Sequence, residues 1–324
     1  MNLSTELTDL FIAFASVVVV CTALFVIDDL FIDFVALVRR VKPLSVSAQQ
    51  LRTMKVHPQK HIAVMIANWK EYEVIGPMIR GNIQSIDYDN YTFFLGVYPN
   101  DTETWQEAAR LEQRYPGKVV VVVNSRPGPT SKGQMLNEVA MQIIESEKKI
   151  GKKMDLFLLQ DSEDVVHRHA FTILNHFSRE ADFLQIPVFS FDVAKSSLVG
   201  GVYIDEFSES HTKDMLVRQE LGAAIPSAGV GTCISRELVV EMMRSQGGAL
   251  LKEDTLTEDY HLGILTKLKG FRSRFICVEL SDGDGNREFV ATREYFPAQF
   301  NASVRQKSRW TCLLYTSDAA DEGL

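Results

Sequence analysis

Five short apolar runs, Ile62–Ile66, Phe93–Val97, Val119–Val123, Leu156–Leu159 and Phe183–Val188, are spaced through the chain with helix-forming stretches between them. Each run is continuous in its apolar character. A strand with one wet face alternates; an unbroken run belongs to a strand covered on both faces. The intervening stretches, Tyr72–Ile83, Thr104–Tyr115, Lys132–Lys149 and His169–Arg179, read as helices. Strand–helix alternation of this kind specifies an α/β fold, a Rossmann-like, mostly parallel twisted sheet flanked by helices. Its ligand site is expected at the carboxyl ends of the strands. Further helices are expected at Met215–Ala223, Arg236–Ser245, Glu258–Leu268 and Ala298–Trp310, and a strand at Arg274–Val278.

The N-terminus adds a different constraint. Leu10 to Ile27 is an uncharged apolar run of 18 residues, which as a helix covers roughly 27 Å, close to the thickness of a bilayer core. Glu6 and Asp9 precede it where a signal peptide wants Lys or Arg. After it, Asp29, Asp33, Ala36 and Arg40 form one helical stripe opposed by Leu30, Phe31, Phe34, Val35 and Val38, the pattern of a helix continuing along a membrane interface. Arg39, Arg40, Lys42, Arg52 and Lys55 all follow the run, so the positive-inside bias puts the downstream chain in the cytoplasm. Residues 42–60, with Pro43, Pro58 and several Ser and Gln, read as a linker.

The formal charge of −8 argues against a nucleic-acid partner, which needs clustered Lys and Arg. Cys21, Cys233, Cys277 and Cys312 form no paired motif and read as free thiols.

Four short motifs carry chemistry. The strand at Leu156–Leu159 runs into Gln160-Asp161-Ser162-Glu163-Asp164. Acids at the end of a buried strand either bind a cation or cap the next helix, and oxygen-rich clusters suit Mg²⁺ or Mn²⁺. Thr257-Glu258-Asp259 opens a helix, where Thr257 caps it and the two acids either complement the helix dipole or include a general base. Gln306, Arg309 and Trp310 share a helical face, with Arg suited to a diphosphate and Trp to a sugar ring. Ser125–Asn137 is a Pro/Gly loop that ends at Lys132 and feeds a helix, bringing an ammonium and backbone N–H groups towards an anion. It lacks P-loop spacing. His167 and His169 read as solvated helix-start residues, Gly229-Val230-Gly231-Thr232 as a turn or a close backbone approach, and Asp282–Asn286 as a loop without the twelfth-position Glu of a calcium site.

Taken in order, Lys132…Leu136-Asn137, Asp161-Ser162-Glu163, Thr257-Glu258-Asp259 and Gln306…Arg309-Trp310 resemble the family 2 glycosyltransferases of GT-A fold, relatives of the cellulose and chitin synthases. Asp28–Asp33 and Asp161–Val166 are most similar to a bacterial inner-membrane branch associated with phage adsorption. The resemblance implies a membrane-anchored, inverting, metal-dependent transfer of a hexose or N-acetylhexosamine from a UDP-sugar to a carbohydrate acceptor, in envelope or exopolysaccharide synthesis, with outer-membrane or export partners. By the same resemblance Asp161, Glu163 and Asp164 would hold Mg²⁺ or Mn²⁺, and Asp161 would also touch the nucleotide. Ala67, Glu71, Asn100 and Asp101 would flank the uracil, and Lys132 and Arg309 the diphosphate. Gln306 and Trp310 would line the sugar site, and Asp259, beside Glu258, would be the catalytic base.

This sequence departs from the family pattern in two places. Glu163 stands where the second acid of the DxD motif is usually Asp. The chain also ends in an acidic stretch where synthase-type members continue into membrane helices. The expected organisation is an anchor and interfacial helix at 1–41, the linker at 42–60, a GT-A domain at 61–311 and a non-family tail at 312–324. A nucleotidyltransferase, or a non-catalytic membrane scaffold of a receptor or export complex, would share parts of this pattern. The first would release pyrophosphate rather than transfer a sugar, and the second would have no use for acids in a cleft.

Overall fold

The computed structural model describes residues 3–150, 153–253, 258–281 and 287–321. The chain divides into two units, Met1–Lys42 and Pro43–Leu324. The first is a single helix, α1 (Leu3–Arg39), which runs unbroken through the stretch expected to turn along an interface. It is long and apolar enough to cross a membrane, with a mean hydropathy of 2.9 and no part of its apolar window buried in protein. It stops in a Schellman turn: Arg40 takes a left-handed φ of 52°, its N–H reaches Leu37 O at 3.3 Å, and Val41 N–H reaches Ala36 O at 2.9 Å.

The second unit opens with β1 (Leu44–Ser47) and α2 (Ala48–Lys55), where the sequence reading expects a linker. Strand β1 is hydrogen-bonded into a sheet. Ser47 and Gln50 form a reciprocal capping box that starts α2. The chain continues through β2 (Ile62–Ala67), α3 (Ile75–Ser85), β3 (Tyr91–Val97), α4 (Thr102–Arg114), β4 (Val119–Val123), α5 (Lys132–Ile150), β5 (Leu156–Gln160), β6 (Val165–Val166) and α6 (Ala170–Phe177). There follow β7 (Phe183–Gln185), β8 (Val188–Ser190), α7 (Leu198–Glu209), a π-helical turn at Ser210–Asp214, α8 (Met215–Glu220), β9 (Thr232–Ser235) and α9 (Arg236–Ser245). The last elements are α10 (Glu258–Leu268), β10 (Ser273–Phe275), β11 (Val278–Ser281), β12 (Arg287–Val290), β13 (Thr292–Glu294) and α11 (Phe300–Asp321).

Seven strands form the central sheet in the order β10-β7-β9-β5-β2-β3-β4. Neighbours are parallel except at β9, which runs antiparallel to both β5 and β7. Two small sheets, β1-β11-β12 and β6-β13-β8, complete the unit. The run expected as one strand at Phe183–Val188 is two, in different sheets. Pro187 has no N–H to give a ladder, so β7 stays in the main sheet and β8 crosses to the sheet of β13. Likewise Arg274–Val278 divides between β10 and β11. Phe93, Phe157, Phe171 and Phe183 are among the largest fully buried side chains, each contributing about 1.5–3 kcal/mol of burial. Of the cysteines, Cys21, Cys233 and Cys277 are free.

Candidate active site

The carboxyl end of β5 is where three of the motifs meet. After Gln160 the chain turns through Asp161–Asp164 before β6. Asp164 is 1% exposed, and its Oδ2 accepts the Asp161 N–H at 2.7 Å, bracing the turn from within. Ser162 is also buried and donates to Asn68 Oδ1 at 3.1 Å. Asn68 in turn donates to Ile66 O and Gly96 O, locking the turn to the ends of β2 and β3. Asp161 and Glu163 are left at the open side.

Lys132, the first residue of α5, reaches across. Its Nζ lies 2.5 Å from Asp161 Oδ1 and 3.3 Å from Gly229 O. Its side chain is still 32% exposed; partial desolvation pulls its pKa down, but Asp161 and then Asp259 outweigh that and hold the ammonium charged above its ordinary range. Gly229 has φ +77°, and a Cβ there would stand 2.5 Å from Asp259 Oδ2 and 3.7 Å from Lys132 Nζ. This glycine is therefore required twice, for its left-handed backbone and for its close approach. The start of α10 sits beside the start of α5, since a Cβ on Gly133 would meet Glu258 Cγ at 3.1 Å. Asp259 Oδ1 accepts the Tyr260 N–H at 2.7 Å. Thr257, expected as the cap, lies outside the described residues.

The acids are crowded. Burial pushes Glu258 up to about 7, with Asp259 adding to it. Burial also raises Asp259, against the opposing charge of Lys132. Partial desolvation and Asp161 raise Glu163, and burial and Asp161 raise Asp164 well above its usual value. Glu71 is raised by burial, then by Glu163 and Asp161, which places it at the same cluster. A residue the motifs do not contain joins them: Glu294, at the end of β13, is pushed to about 7 by burial and then by Asp161 and Glu163.

Other expected site residues have structural duties. Asp101 caps α4, accepting the Lys70 N–H at 2.6 Å and the Thr104 N–H at 3.4 Å. Asn100 exchanges two hydrogen bonds with the backbone of Gly128, at 2.6 and 2.7 Å. Gly128 lies so close to Trp69 and Tyr98 that a Cβ would stand 2.5 and 2.7 Å from their rings. Ala67 ends β2, and its carbonyl faces Ser162 Oγ at 3.5 Å. Gln306 accepts the Tyr203 hydroxyl at 2.7 Å. Trp310 packs edge-on against Tyr203 and Phe296, within a cluster that includes Val188 and Val230. Gln306 and Trp310 are thus tied to a cluster that also holds Val230 of the Gly229–Gly231 loop. The Arg309 side chain and the Asp282–Asn286 loop lie outside the described residues. His167 and His169 point to Glu288 and Asp87, at 3.2 and 3.6 Å.

Among the described residues no three acidic, His or Cys groups are gathered closely enough to hold a metal by themselves. The donor set nevertheless fits a hard cation completed by phosphate oxygens, because Mg²⁺-type ions use one or two carboxylates plus substrate phosphates. Asp164 Oδ1 is a buried oxygen with no hydrogen-bond partner.

Residues 58–312 match the family described as glycosyltransferase like family 2. Bacteriophage adsorption protein B of Escherichia coli K12 is 38% identical over 301 residues, covering 88% of this chain, and bacteriophage N4 adsorption protein B of E. coli O157:H7 matches equally. The chain spans 40% of the length of these curated relatives. A mannosyltransferase from Pyrobaculum calidifontis, solved with GDP-Man and Mn²⁺, superposes with a TM-score of 0.55 at 14% identity, covering 82% of this chain and 68% of that one. With its mostly parallel sheet, the acids at the end of β5 and a family match across nearly all of the second unit, this chain belongs to glycosyltransferase family 2 and has the GT-A fold.

Proposed function

We propose that this chain transfers a hexose or N-acetylhexosamine from a UDP-sugar to a carbohydrate hydroxyl, with inversion. The observation that carries this reading is the position of Lys132: one ammonium 2.5 Å from Asp161, bonded to Gly229 O and under the charge of Asp259. It joins three motifs that lie far apart in the sequence. Lys132 and the acid turn would receive the diphosphate. Asp259 would take the proton from the attacking hydroxyl, and a single displacement of that kind inverts the anomeric centre. Asp161 and Glu163, with Asp164 behind them, would hold Mg²⁺ or Mn²⁺, which when bound offsets charge on the leaving diphosphate. Glu71 and the Asn100–Asp101 turn would border the base. The fold neighbour's nucleotide sugar and Mn²⁺ support the donor class, and the uridine assignment rests on the family motifs.

Helix α1 is proposed as a bacterial inner-membrane anchor with the transferase unit in the cytoplasm, in keeping with Arg39, Arg40 and Lys42 following the apolar run. The relatives' names support a place in envelope polysaccharide assembly, with an outer-membrane or export partner. The deciding experiment is calorimetric titration with UDP, GDP and a panel of UDP-sugars, with and without Mn²⁺. Metal-dependent UDP binding is expected. Absence of binding to every nucleotide would leave a scaffold as the better description.

A further inference from the structure

Strand β13 carries none of the motifs, yet it ends in the acid site. Its antiparallel pairing with β6 sets Thr292 against Val166 and Arg293 against Val165. Glu294 follows directly on β13 and Asp164 directly precedes β6, so extending the register brings the two together, and the charge of Glu294 bears on Asp164. Residues directly opposite in an antiparallel pair present their side chains to the same face. The strand is held firmly at both ends. Thr292 Oγ1 accepts from Gln160 Nε2 at 3.1 Å, and Glu294 O accepts the Phe191 N–H at 2.9 Å. Glu294 is thus placed by backbone pairing and by a side-chain tie to the end of β5.

What it faces calls for a positive partner. Asp164 is 1% exposed; its Oδ2 is occupied by the Asp161 N–H, while its Oδ1 has no hydrogen-bond partner. A buried carboxylate oxygen left without a donor or cation is costly. Asp161 and Glu163 bear on Glu294 as well, with Lys132 the cation that opposes them. Among the described residues Lys132 is the cation that bears on these carboxylates, and it is already committed to Asp161 and Gly229.

Building on the transferase reading, we propose that Glu294 is a fourth carboxylate of the donor site, facing Asp164 from β13 and taking up with it the divalent cation that accompanies a nucleoside diphosphate. The cation would then be held between two elements, the β5–β6 turn and β13.

The test is calorimetry on the full chain, titrating Mn²⁺ alone, UDP alone and UDP with Mn²⁺ into wild type, Glu294→Gln, Glu294→Asp and Arg293→Gln. Glu294→Gln is expected to weaken Mn²⁺-dependent UDP binding by about tenfold or more and to leave metal-free UDP binding unchanged. Glu294→Asp should recover part of the loss, and Arg293→Gln, one residue away on the opposite face, should bind as wild type does. Wild-type metal-dependent affinity in Glu294→Gln would overturn this role alone. A wild type that binds no UDP with Mn²⁺ would overturn the transferase reading and this role with it. Equal losses in Glu294→Gln and Arg293→Gln would show disturbance of β13 rather than loss of a ligand.

Discussion

Asn137 and Leu251 exchange two hydrogen bonds: Asn137 Nδ2 donates to Leu251 O at 2.8 Å, and the Leu251 N–H donates to Asn137 Oδ1 at 2.7 Å. A side-chain amide has one donor end and one acceptor end, so it can mimic a strand neighbour for a single residue. The effect is to fasten the chain leading into α10 onto α5, which begins at Lys132. This gives a physical reason for Asn in the Lys132…Leu136-Asn137 segment. The Asn sets the relation between the ammonium and the acids of α10, and it need not touch substrate.

Asn137→Ala should therefore destabilise the fold. Both Asn137 and Leu251 are buried, and each backbone group orphaned at Leu251 costs about 1–3 kcal/mol. A chemical-denaturation series would show Asn137→Ala clearly less stable than wild type, with Asn137→Asp between them because it keeps the acceptor. A wild-type midpoint in Asn137→Ala would remove the clamp from the account.

Lys132→Met separates electrostatic from structural roles. The Lys132 and Asp161 side chains are 32% and 34% exposed, so their ion pair is worth no more than about 1 kcal/mol of stability. Charge-assisted contacts to a diphosphate are stronger. The melting temperature should barely move, while UDP affinity falls by about tenfold or more. Lost stability with retained nucleotide binding would reverse that assignment.

The crowded acids predict a pH effect. Glu258 keeps its proton in the fold up to about 7, against 4.5 for an ordinary carboxyl. Between those values the folded chain binds a proton that the unfolded chain has released, so stability falls as pH rises. The contribution is fully present below the unfolded value and lost on passing the folded one. Glu258→Gln removes that titration. The stability difference between wild type and Glu258→Gln, measured by denaturation across pH 4.5 to 7, should shift steadily against wild type as pH rises. A difference constant across this range would show that Glu258 titrates in the fold as it does in the unfolded chain.

The sheet was legible in the sequence because burial on both faces leaves long apolar runs, as at Tyr91–Val97, where every residue is buried. The small elements were harder to read. Strand β1 shows a single buried residue, Val46, within a polar stretch, although Ser47 and Gln50 carried the signature of a helix start. Pro187 marked the break between β7 and β8 but sat inside an apolar run. Asp161, Glu163, Lys132 and Asp259 stand out in the sequence as candidates because their motifs are compact. Glu294 does not stand out, because its proposed role depends on its place on β13 beside the β5–β6 turn, and no local spacing encodes a pairing between β6 and β13. For Asp101, Asn100 and Gln306 the family resemblance implies contact with ligand, and in the structure their side chains bond to Lys70, Gly128 and Tyr203.

Asp259 is expected to matter for turnover far more than for donor binding. It begins α10, where a carboxylate also favours the helix dipole, so capping and catalysis must be told apart. Geometry favours the second: Gly229 gives up its Cβ to let Asp259 Oδ2 approach, and Lys132 is close enough to oppose the rise in its pKa. A sugar hydroxyl attacks poorly while protonated, and a positioned carboxylate is worth about 10²–10⁴-fold. Asp259→Asn keeps the shape and removes the basicity. The rate should fall by about that factor while UDP-sugar affinity stays within a few fold. Gly229→Ala tests the same site from the other side: its Cβ would displace Asp259, so the rate should fall even though every acid is retained. A purely capping Asp259 predicts the opposite pattern, with a stability loss on the order of 1 kcal/mol and near-normal turnover in Asp259→Asn. Rate, donor affinity and melting temperature measured on both variants decide the matter, and a fully active Asp259→Asn would remove Asp259 from the chemistry.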